Sequence, residues 1–266
     1  MLARAPLPAR YEAWNRRWGA PFGRPWTARL PRCLWSRPGG AALVGPFAFQ
    51  INNDSRAFEY PWAYETLAPR PGQRVLEIGG SVAGFQFTLA RAGCAVVNVD
   101  PGHDPEGVWP LSERLFGRLR RRFGPTVELR KCLIEAAGLE DASFDHAISI
   151  SVIEHLDRPA IMSVLAHVRR ALRPGGTFVM TLDLFPDLVP FTTTPRNRWG
   201  ENVSVQWLVE ASGLTLRDGD PHELYGYAEF DPVKILADRD RYFWGTRTPT
   251  LTQLLVLQKP TPRAAR

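Results

Sequence analysis

From Arg74 onward, short apolar segments alternate with segments of helical periodicity, and this alternation constrains the fold more than any other feature of the chain. Apolar runs of about four to eight residues are typical of buried strands, and strands that alternate with helices form a parallel sheet covered on both faces. The predicted strands are 74–79, 95–100, 126–131, 144–151, 176–183, 215–218 and 251–258. The last strand follows its predecessor without a clear crossover, so we expect it to enter the sheet antiparallel.

The helices that we predict between these strands are 84–92, 111–123, 159–172 and 204–212. Together the elements indicate one α/β domain over 67–260. Residues 1–66 have a different texture, because aromatic residues, prolines and glycines are frequent there, and only short helices near 8–18 and 57–67 are expected. We interpret 1–66 as an aromatic-rich N-terminal extension or lid, and 261–266 as a tail.

Composition narrows the class of protein. The net charge of +6 comes almost entirely from arginine, and the chain is also rich in Ala, Pro and Gly, which is typical of a high-GC bacterial genome. We therefore interpret the charge as compositional and expect no nucleic-acid partner. Cys33, Cys94 and Cys132 form no CxxC pair, which favours a reducing compartment. With no signal-peptide pattern and no apolar run of about 20 residues, we expect a cytoplasmic protein without a membrane partner, as a monomer or homodimer.

A glycine-rich turn follows the first predicted strand, in the segment VLEIGGSVAG over 75–84. Small residues let a ligand approach the backbone, and the helix that follows offers free N–H groups to an anionic group. Asp100 ends the second strand, 23 positions after Glu77. A carboxylate at this place can accept hydrogen bonds from both ribose hydroxyls of a nucleotide-like ligand, although a turn or helix-capping role is the alternative.

Two further segments carry the most specific signal, SFDHAISISVIEHL over 143–156 and LRPGGTFVMTLD over 172–183. With the glycine-rich turn and Asp100 before them, they make the chain resemble the class I S-adenosylmethionine-dependent methyltransferases. The group that it resembles within them modifies small molecules, including sugars and natural products. The resemblance covers about residues 70–220. It implies a Rossmann-like fold with a mostly parallel seven-stranded sheet and an antiparallel last strand, and S-adenosylmethionine as the cofactor.

The resemblance also implies which residues hold the cofactor. They are Glu77, Gly79, Gly80, Ser81, Gly84, Asp100, Leu133 and Ser151. Two departures from the family pattern are visible: Ser81 and Ala83 occupy positions where the family has glycines, and Leu133-Ile134 stands where an acid often binds adenine. We expect adenine to be held by backbone groups near Leu133 and by apolar packing.

His155 and Asp183 are the predicted catalytic residues. They follow neighbouring strands on the cofactor side, so a neutral imidazole could accept a proton from a hydroxyl acceptor while the carboxylate orients it. The alternative for His155 is a loop or helix-cap role. His103 and Asp104 could be combined with Asp183 into a metal site, but their spacing is not diagnostic and we predict no metal.

The extension supplies two more predicted contacts. Arg56 could meet the methionine carboxylate, and Tyr60 or Trp62 could pack near the sulfonium, where an aromatic face favours positive charge. The alternative is that these aromatic residues only pack the extension onto the domain. The irregular stretch 185–203 is a candidate acceptor pocket that would suit a polar ring such as a glycoside. Its candidate contact residues are Phe191, Arg196, Asn197, Arg198 and Trp199.

The sequence therefore predicts a methyltransferase that acts on oxygen, or less favourably on nitrogen, of a small-molecule acceptor such as a glycoside or another natural product. Three alternatives remain open: an NAD-linked oxidoreductase, suggested by the glycine-rich turn alone; a protein that keeps the fold without catalysis, suggested by the altered turn; and a nucleic-acid methyltransferase, suggested by the charge.

Overall fold

The structure, a computed structural model, describes residues 1–26, 40–102 and 111–261. Cys33, the pair His103–Asp104 and residues 262–266 lie outside these ranges. The strands are β1 (Arg74–Ile78), β2 (Ala95–Val99), β3 (Val127–Arg130), β4 (Phe144–Ile150), β5 (Leu172–Leu184), β6 (Thr215–Asp218), β7 (Trp244–Gly245) and β8 (Thr250–Gln258). They form one sheet in the order β3-β2-β1-β4-β5-β8-β6, with the two-residue β7 also paired to β8.

Helices connect these strands and cover the sheet. They are α1 (Ala9–Trp18), α2 (Gly40–Val44), α3 (Arg56–Leu67), α4 (Gly84–Arg91), α5 (Glu113–Phe123), α6 (Arg158–Ala171), α7 (Val205–Ser212) and α8 (Pro232–Ala237). Short 3₁₀ turns add 46–49, 134–136, 153–155, 221–223 and 239–241. Several helix starts follow from local sequence, because the side chains of Ser112, Asp157 and Ser204 accept hydrogen bonds from the backbone N–H three residues on.

The pairing confirms the predicted fold class. β1 pairs in parallel with β2 and β4, and β4 pairs in parallel with β5, whereas β8 runs antiparallel to both β5 and β6. The predicted strands all appear, and the main difference is that β5 begins at Leu172 instead of residue 176, because the LRPGG segment continues the strand. The short β7 is an addition that the sequence did not predict, since two residues carry no periodicity.

The extension shares its apolar core with one face of the sheet. Phe47 lies 5.1 Å from Tyr60 between ring centroids, and Tyr60 stacks on Phe85 of α4 at 5.5 Å. Gly84 makes this packing possible, because a Cβ there would lie 2.6 Å from Cγ of Phe47. The packing of Phe47, Tyr60 and Phe85 therefore holds α3 against the sheet, as the packing interpretation expected. The division of the chain at residue 66 remains a prediction.

The contribution of this aromatic packing to stability can be measured with Phe47→Ala. Phe47 is fully buried, so its truncation removes apolar contacts and leaves a cavity, and we expect the free energy of unfolding to fall by about 3–5 kcal/mol. Trp26→Ala is the control, because Trp26 is an aromatic residue of the same segment that is 58% exposed. Its effect should stay within about 0.5 kcal/mol in urea unfolding, and equal losses in the two variants would contradict the shared core.

Candidate functional site

A cavity of about 390 Å³ opens at the carboxyl ends of β1, β2, β4 and β5. In parallel sheets this edge collects the loops that follow the strands, and ligands bind there. The segment 50–53 and α3 form one wall, and the 3₁₀ turn 153–155 and residues 198–199 form another. Residues 247–248, from the turn before β8, complete the lining.

The glycine-rich turn forms the floor near β1. Gly79 has a φ of +66°, a conformation that glycine adopts without strain, and Ser81 has a φ of +42°. Gly80 lies tightly against Glu77, since a Cβ at Gly80 would stand 2.6 Å from the Glu77 carboxyl carbon. The backbone N–H of Gly80 donates to Oδ1 of Asn98 at 3.1 Å, so a β2 side chain fixes the turn.

Two buried carboxyl groups stand beside this turn. Asp100 accepts hydrogen bonds from the N–H groups of Ser81 at 2.8 Å and Gly102 at 2.6 Å, which orient its carboxylate at the end of β2. Oε2 of Glu77 is buried and has no hydrogen-bond partner among the described residues. Burial, together with the charge of Asp100, raises the pKa of Glu77 to about 8. Such an unsatisfied acceptor fits a ligand that donates hydrogen bonds or carries positive charge.

Arg56, at the start of α3, lies in the cavity wall that α3 and the segment 50–53 form. Its Nη1 donates to Oε1 of Glu59 at 2.6 Å and to Oγ of Ser151 at 2.8 Å, and it lies 3.9 Å from Asp183. Burial alone would lower the pKa of Arg56, but Glu59 and Asp183 outweigh burial and hold it above its ordinary value. Because these bonds all use Nη1, the edge formed by Nε and Nη2 is the part of the guanidinium that suits a ligand carboxylate.

Glu59 anchors this arrangement from behind. It is fully buried, and its Oε2 accepts hydrogen bonds from the hydroxyls of Ser151 at 3.0 Å and Thr181 at 2.7 Å. Thr252 of β8 lies 3.5 Å from Oε1. Polar groups from β5, β8 and the end of β4 thus converge on one carboxylate of α3.

Asp183 and Glu154 form a second buried acidic pair. Oε1 of Glu154 accepts from the backbone N–H of Asp183 at 2.8 Å, and Oε2 of Glu154 has no hydrogen-bond partner among the described residues. Burial raises the pKa of Glu154 to about 7. Burial also raises the pKa of Asp183, against the opposing effect of Arg56. These groups therefore bind protons more tightly than ordinary carboxylates.

His155 ends the 3₁₀ turn after β4 and lines the cavity. Its Nδ1 contacts the backbone carbonyl of Trp199. Since a carbonyl can only accept, Nδ1 is the donor, and a neutral ring then carries its lone pair on Nε2. The sequence assigned the orienting role to Asp183, whereas the group that contacts Nδ1 in the structure is this carbonyl. A neutral Nε2 has the lone pair that a proton acceptor needs.

The structure brings most of the predicted site residues to this one cavity. Its lining includes Arg56, Tyr60, Glu77, Gly79, Gly80, Ser81, Asp100, Ser151, His155 and Asp183. Among the described residues, Gly84 and Leu133 are not part of the lining: Gly84 faces Phe47, and Leu133 is 63% exposed. The cofactor contacts of these two residues remain predictions.

Of the candidate acceptor contacts in 185–203, some line the cavity and others do not. Arg198 and Trp199 line the cavity. Phe191 instead packs against Phe230 at 6.1 Å, and Asn197 bonds to Asp187. Arg196 is exposed and lies outside the cavity lining, so the structure does not place it at the acceptor pocket.

Sequence reasoning missed Glu59, Glu154 and Arg247. The spacing of Arg56 and Glu59 at i and i+3 on a helix was a usable signal for the ion pair, since such residues are neighbours on the helix surface. No local signal places Arg247 at the cavity, because it arrives there from a distant turn.

Within residues 1–26, 40–102 and 111–261, no cluster of three His, Cys, Asp or Glu side chains suits a metal ion. Over the same ranges, no helix has the length and apolarity that a membrane span requires.

Comparison with known proteins agrees with this geometry. Residues 76–180 match the family model described as a methyltransferase domain. A ubiquinone biosynthesis O-methyltransferase of Hahella chejuensis is 35% identical over 131 residues, which cover 49% of this chain and 47% of that protein. An uncharacterized 37.1 kDa protein in transposon TN4556 of Streptomyces fradiae is 35% identical over 134 residues, covering 47% of this chain and 36% of the relative. The chain thus spans less than half the length of these two relatives.

Solved structures share the fold at low identity. The 1,6-didemethyltoxoflavin-N1-methyltransferase of Burkholderia thailandensis, solved with S-adenosylhomocysteine, superposes with a TM-score of 0.51 at 17% identity and covers 76% of each chain. A phosphoethanolamine N-methyltransferase 2 of Haemonchus contortus gives 0.52 at 16% identity, over 76% of this chain and 52% of that one. The predicted resemblance and the Rossmann-like fold are confirmed.

The raised pKa of Glu77 predicts a pH dependence of stability. The folded state binds this proton more tightly than the unfolded chain, because the pKa rises from 4.5 to about 8 on folding. The contribution of this proton to the free energy of unfolding is therefore complete below about pH 4.5 and is lost as the pH rises through 8. We expect the free energy of unfolding to decline between about pH 5 and 8, and Glu77→Gln to reduce that decline in urea titrations.

Glu229→Gln is the control for this measurement, because Glu229 is an exposed carboxyl outside the cavity. It should leave the decline of the unfolding free energy with pH unchanged. If Glu77→Gln does not alter this decline either, the pKa of Glu77 is not raised on folding.

Proposed function

We propose that this chain, which carries a class I methyltransferase domain, transfers the methyl group of S-adenosylmethionine to an oxygen atom of a small molecule. The observation that carries the proposal is the cavity at the carboxyl edge of the sheet. It combines the glycine-rich turn, Asp100 and Arg56, and the turn and Asp100 lie within the segment 76–180 that matches the methyltransferase model. The acceptor that we favour is a glycoside or another natural product.

The residues present fit this cofactor. Asp100 is oriented by two backbone N–H groups and would accept hydrogen bonds from the ribose hydroxyls. Arg56 would bind the methionine carboxylate through its Nε–Nη2 edge. The unsatisfied Oε2 of Glu77 and the carboxylate of Asp183 would favour the positive charges of the cofactor. Tyr60 also lines the cavity, but its ring packs on Phe85 and Phe47, and its hydroxyl donates to Oδ1 of Asn52 at 3.1 Å.

The cofactor supplies an activated methyl group on a sulfonium sulfur, and the protein's task is to align and desolvate the acceptor. For a hydroxyl acceptor, a bond forms between its oxygen and the methyl carbon while the carbon–sulfur bond breaks. We assign the hydroxyl proton to Nε2 of His155, whose Nδ1 is held by the Trp199 carbonyl. Asp183, a buried carboxyl of the same cavity, favours the imidazolium that results.

The first test is cofactor binding. Calorimetry should show micromolar binding of S-adenosylmethionine and S-adenosylhomocysteine and no binding of NAD. Asp100→Asn should weaken cofactor binding by about 10- to 100-fold, the scale for lost hydrogen bonds to a charged group. Asp141→Asn is the control and should leave cofactor affinity unchanged, because Asp141 is an exposed residue that precedes β4, away from the carboxyl ends of the strands. Binding of NAD would favour the oxidoreductase alternative, and the failure of both sulfur nucleotides to bind would favour a non-catalytic fold.

The second test concerns His155. If a hydroxyl is the acceptor, His155→Ala should lower kcat by about 10²- to 10⁴-fold, the range for general base catalysis, without changing cofactor affinity. His222→Ala is the control, because this exposed histidine lies outside the cavity. The measurement is release of S-adenosylhomocysteine with phenol, catechol and sugar acceptors. Normal turnover of the His155 variant would show that His155 is not the base. It would favour an amine acceptor, which needs only to be positioned by the protein.

A further inference from the structure

We infer that the methyl acceptor carries an anionic group, a carboxylate or a phosphate, which Arg198 and Arg247 bind at the rim of the cavity. The inference rests on the proposed function, because it concerns the acceptor half of the same site. It starts from the distribution of charge along the cavity wall, which separates acidic from basic side chains.

The inner wall is acidic and the rim is basic. The carboxyl groups of Glu77, Asp100 and Asp183 line the cavity and are each at most 7% exposed. Arg198 and Arg247 line the same cavity but are exposed to solvent. With the positively charged cofactor at the inner wall, an acceptor with a negative group at its outer end would complement the rim, since opposite charges stabilise each other most in a partly desolvated site.

Arg198 packs on the aromatic ring of the residue that follows it, Trp199. Its guanidinium lies 4.2 Å from the centroid of the Trp199 ring, and the Trp199 carbonyl contacts His155. The next residue, Gly200, lies so close to the chain at Glu154 that a Cβ would stand 2.0 Å from the Glu154 carbonyl oxygen. The segment that carries Arg198 is therefore docked directly on the turn that carries the predicted base.

Arg247 reaches the cavity from the turn between β7 and β8. Its guanidinium lies 4.7 Å from the centroid of the Phe22 ring and donates to the Asn52 carbonyl at 3.3 Å. The same turn is fixed by Asn53, whose side chain donates to the Thr248 carbonyl at 3.2 Å. Both arginines are thus supported by an aromatic face, an arrangement that leaves in-plane N–H groups for a planar or tetrahedral anion.

No carboxylate of the described residues is paired with either of these two arginines. By contrast, Arg56 of the same cavity is paired with Glu59 at 2.6 Å. An anionic acceptor group would supply the missing partner. Held at the rim beside His155, it would direct the opposite end of the acceptor, with its nucleophilic oxygen, toward the inner wall.

Matched pairs of simple probes test the inference without knowledge of the natural acceptor. Benzoate is compared with benzamide and phenyl phosphate with phenol, with dissociation constants from NMR titration in the presence and absence of S-adenosylhomocysteine. We expect at least one anion to bind about tenfold more tightly than its neutral partner, and added salt to weaken that preference. Which anion binds distinguishes a carboxylate from a phosphate site.

The variants Arg198→Gln and Arg247→Gln should each weaken binding of that anion by about tenfold, because each removes charge-assisted hydrogen bonds. Arg196→Gln is the matched control, since Arg196 is an exposed arginine of the same segment outside the cavity lining, and it should bind the anion normally. The inference is overturned if no anion binds or if the neutral probes bind as tightly as the anions. It is also overturned if Arg198→Gln and Arg247→Gln bind the anion normally, or if Arg196→Gln weakens its binding as much as they do.

Affinity for S-adenosylmethionine, measured on the same proteins, separates this inference from the proposed function. Arg198→Gln and Arg247→Gln should leave cofactor affinity unchanged, because both lie at the rim. If the unsubstituted protein binds the anion at these arginines but not the cofactor, the proposed function fails and the anion site stands. If it binds the cofactor but shows no preference for anions, the anion site fails alone.

Discussion

The buried ion pair between Arg56 and Glu59 is the interaction on which the rest of the site depends. Glu59 is fully buried and sits at the centre of hydroxyls from Ser151, Thr181 and Thr252. A buried carboxylate is tolerated only where a cation and hydrogen bonds compensate for its lost hydration. The helix that carries it must therefore lie across the carboxyl ends of the strands, and this position turns Arg56 toward the cavity. The aromatic packing of the extension holds the helix there, so the packing and ligand-binding interpretations of these residues are compatible.

The acidic inner wall follows from the same geometry. Burial raises the pKa of Glu77, and its Oε2 has no hydrogen-bond partner among the described residues. Such an oxygen adds no stability to the free protein, because its desolvation is not repaid. It is explained if a ligand with positive charge and N–H or O–H donors occupies the cavity that Glu77 lines. The cost to the free protein then becomes part of the affinity for that ligand.

The sequence predicted the strands and the glycine-rich turn well, because both depend on local periodicity and on small residues that carry their own conformational preference. It also placed Asp100, His155 and Asp183 at one edge, since the ends of neighbouring parallel strands converge. It did not predict the partner of His155 Nδ1, the role of Glu59 or the arrival of Arg247. These depend on how separate segments dock on each other, and no local pattern encodes the backbone carbonyl of Trp199 as a hydrogen-bond acceptor.

The segment 76–180 that matches the methyltransferase model contains Glu77, Asp100 and His155, but the remaining contacts lie outside it. Arg56 comes from the extension before β1, Arg198 from the stretch after β5, and Arg247 from the turn before β8. The family fold therefore supplies the floor of the cavity, and the flanking segments supply the charged groups around its opening. Because a preference between ligands is a difference in contacts, these flanking segments determine which charges a ligand meets at the opening of the cavity. A relative that matches only the central segment therefore shares the floor of the cavity with this chain and need not share the charged groups at its opening.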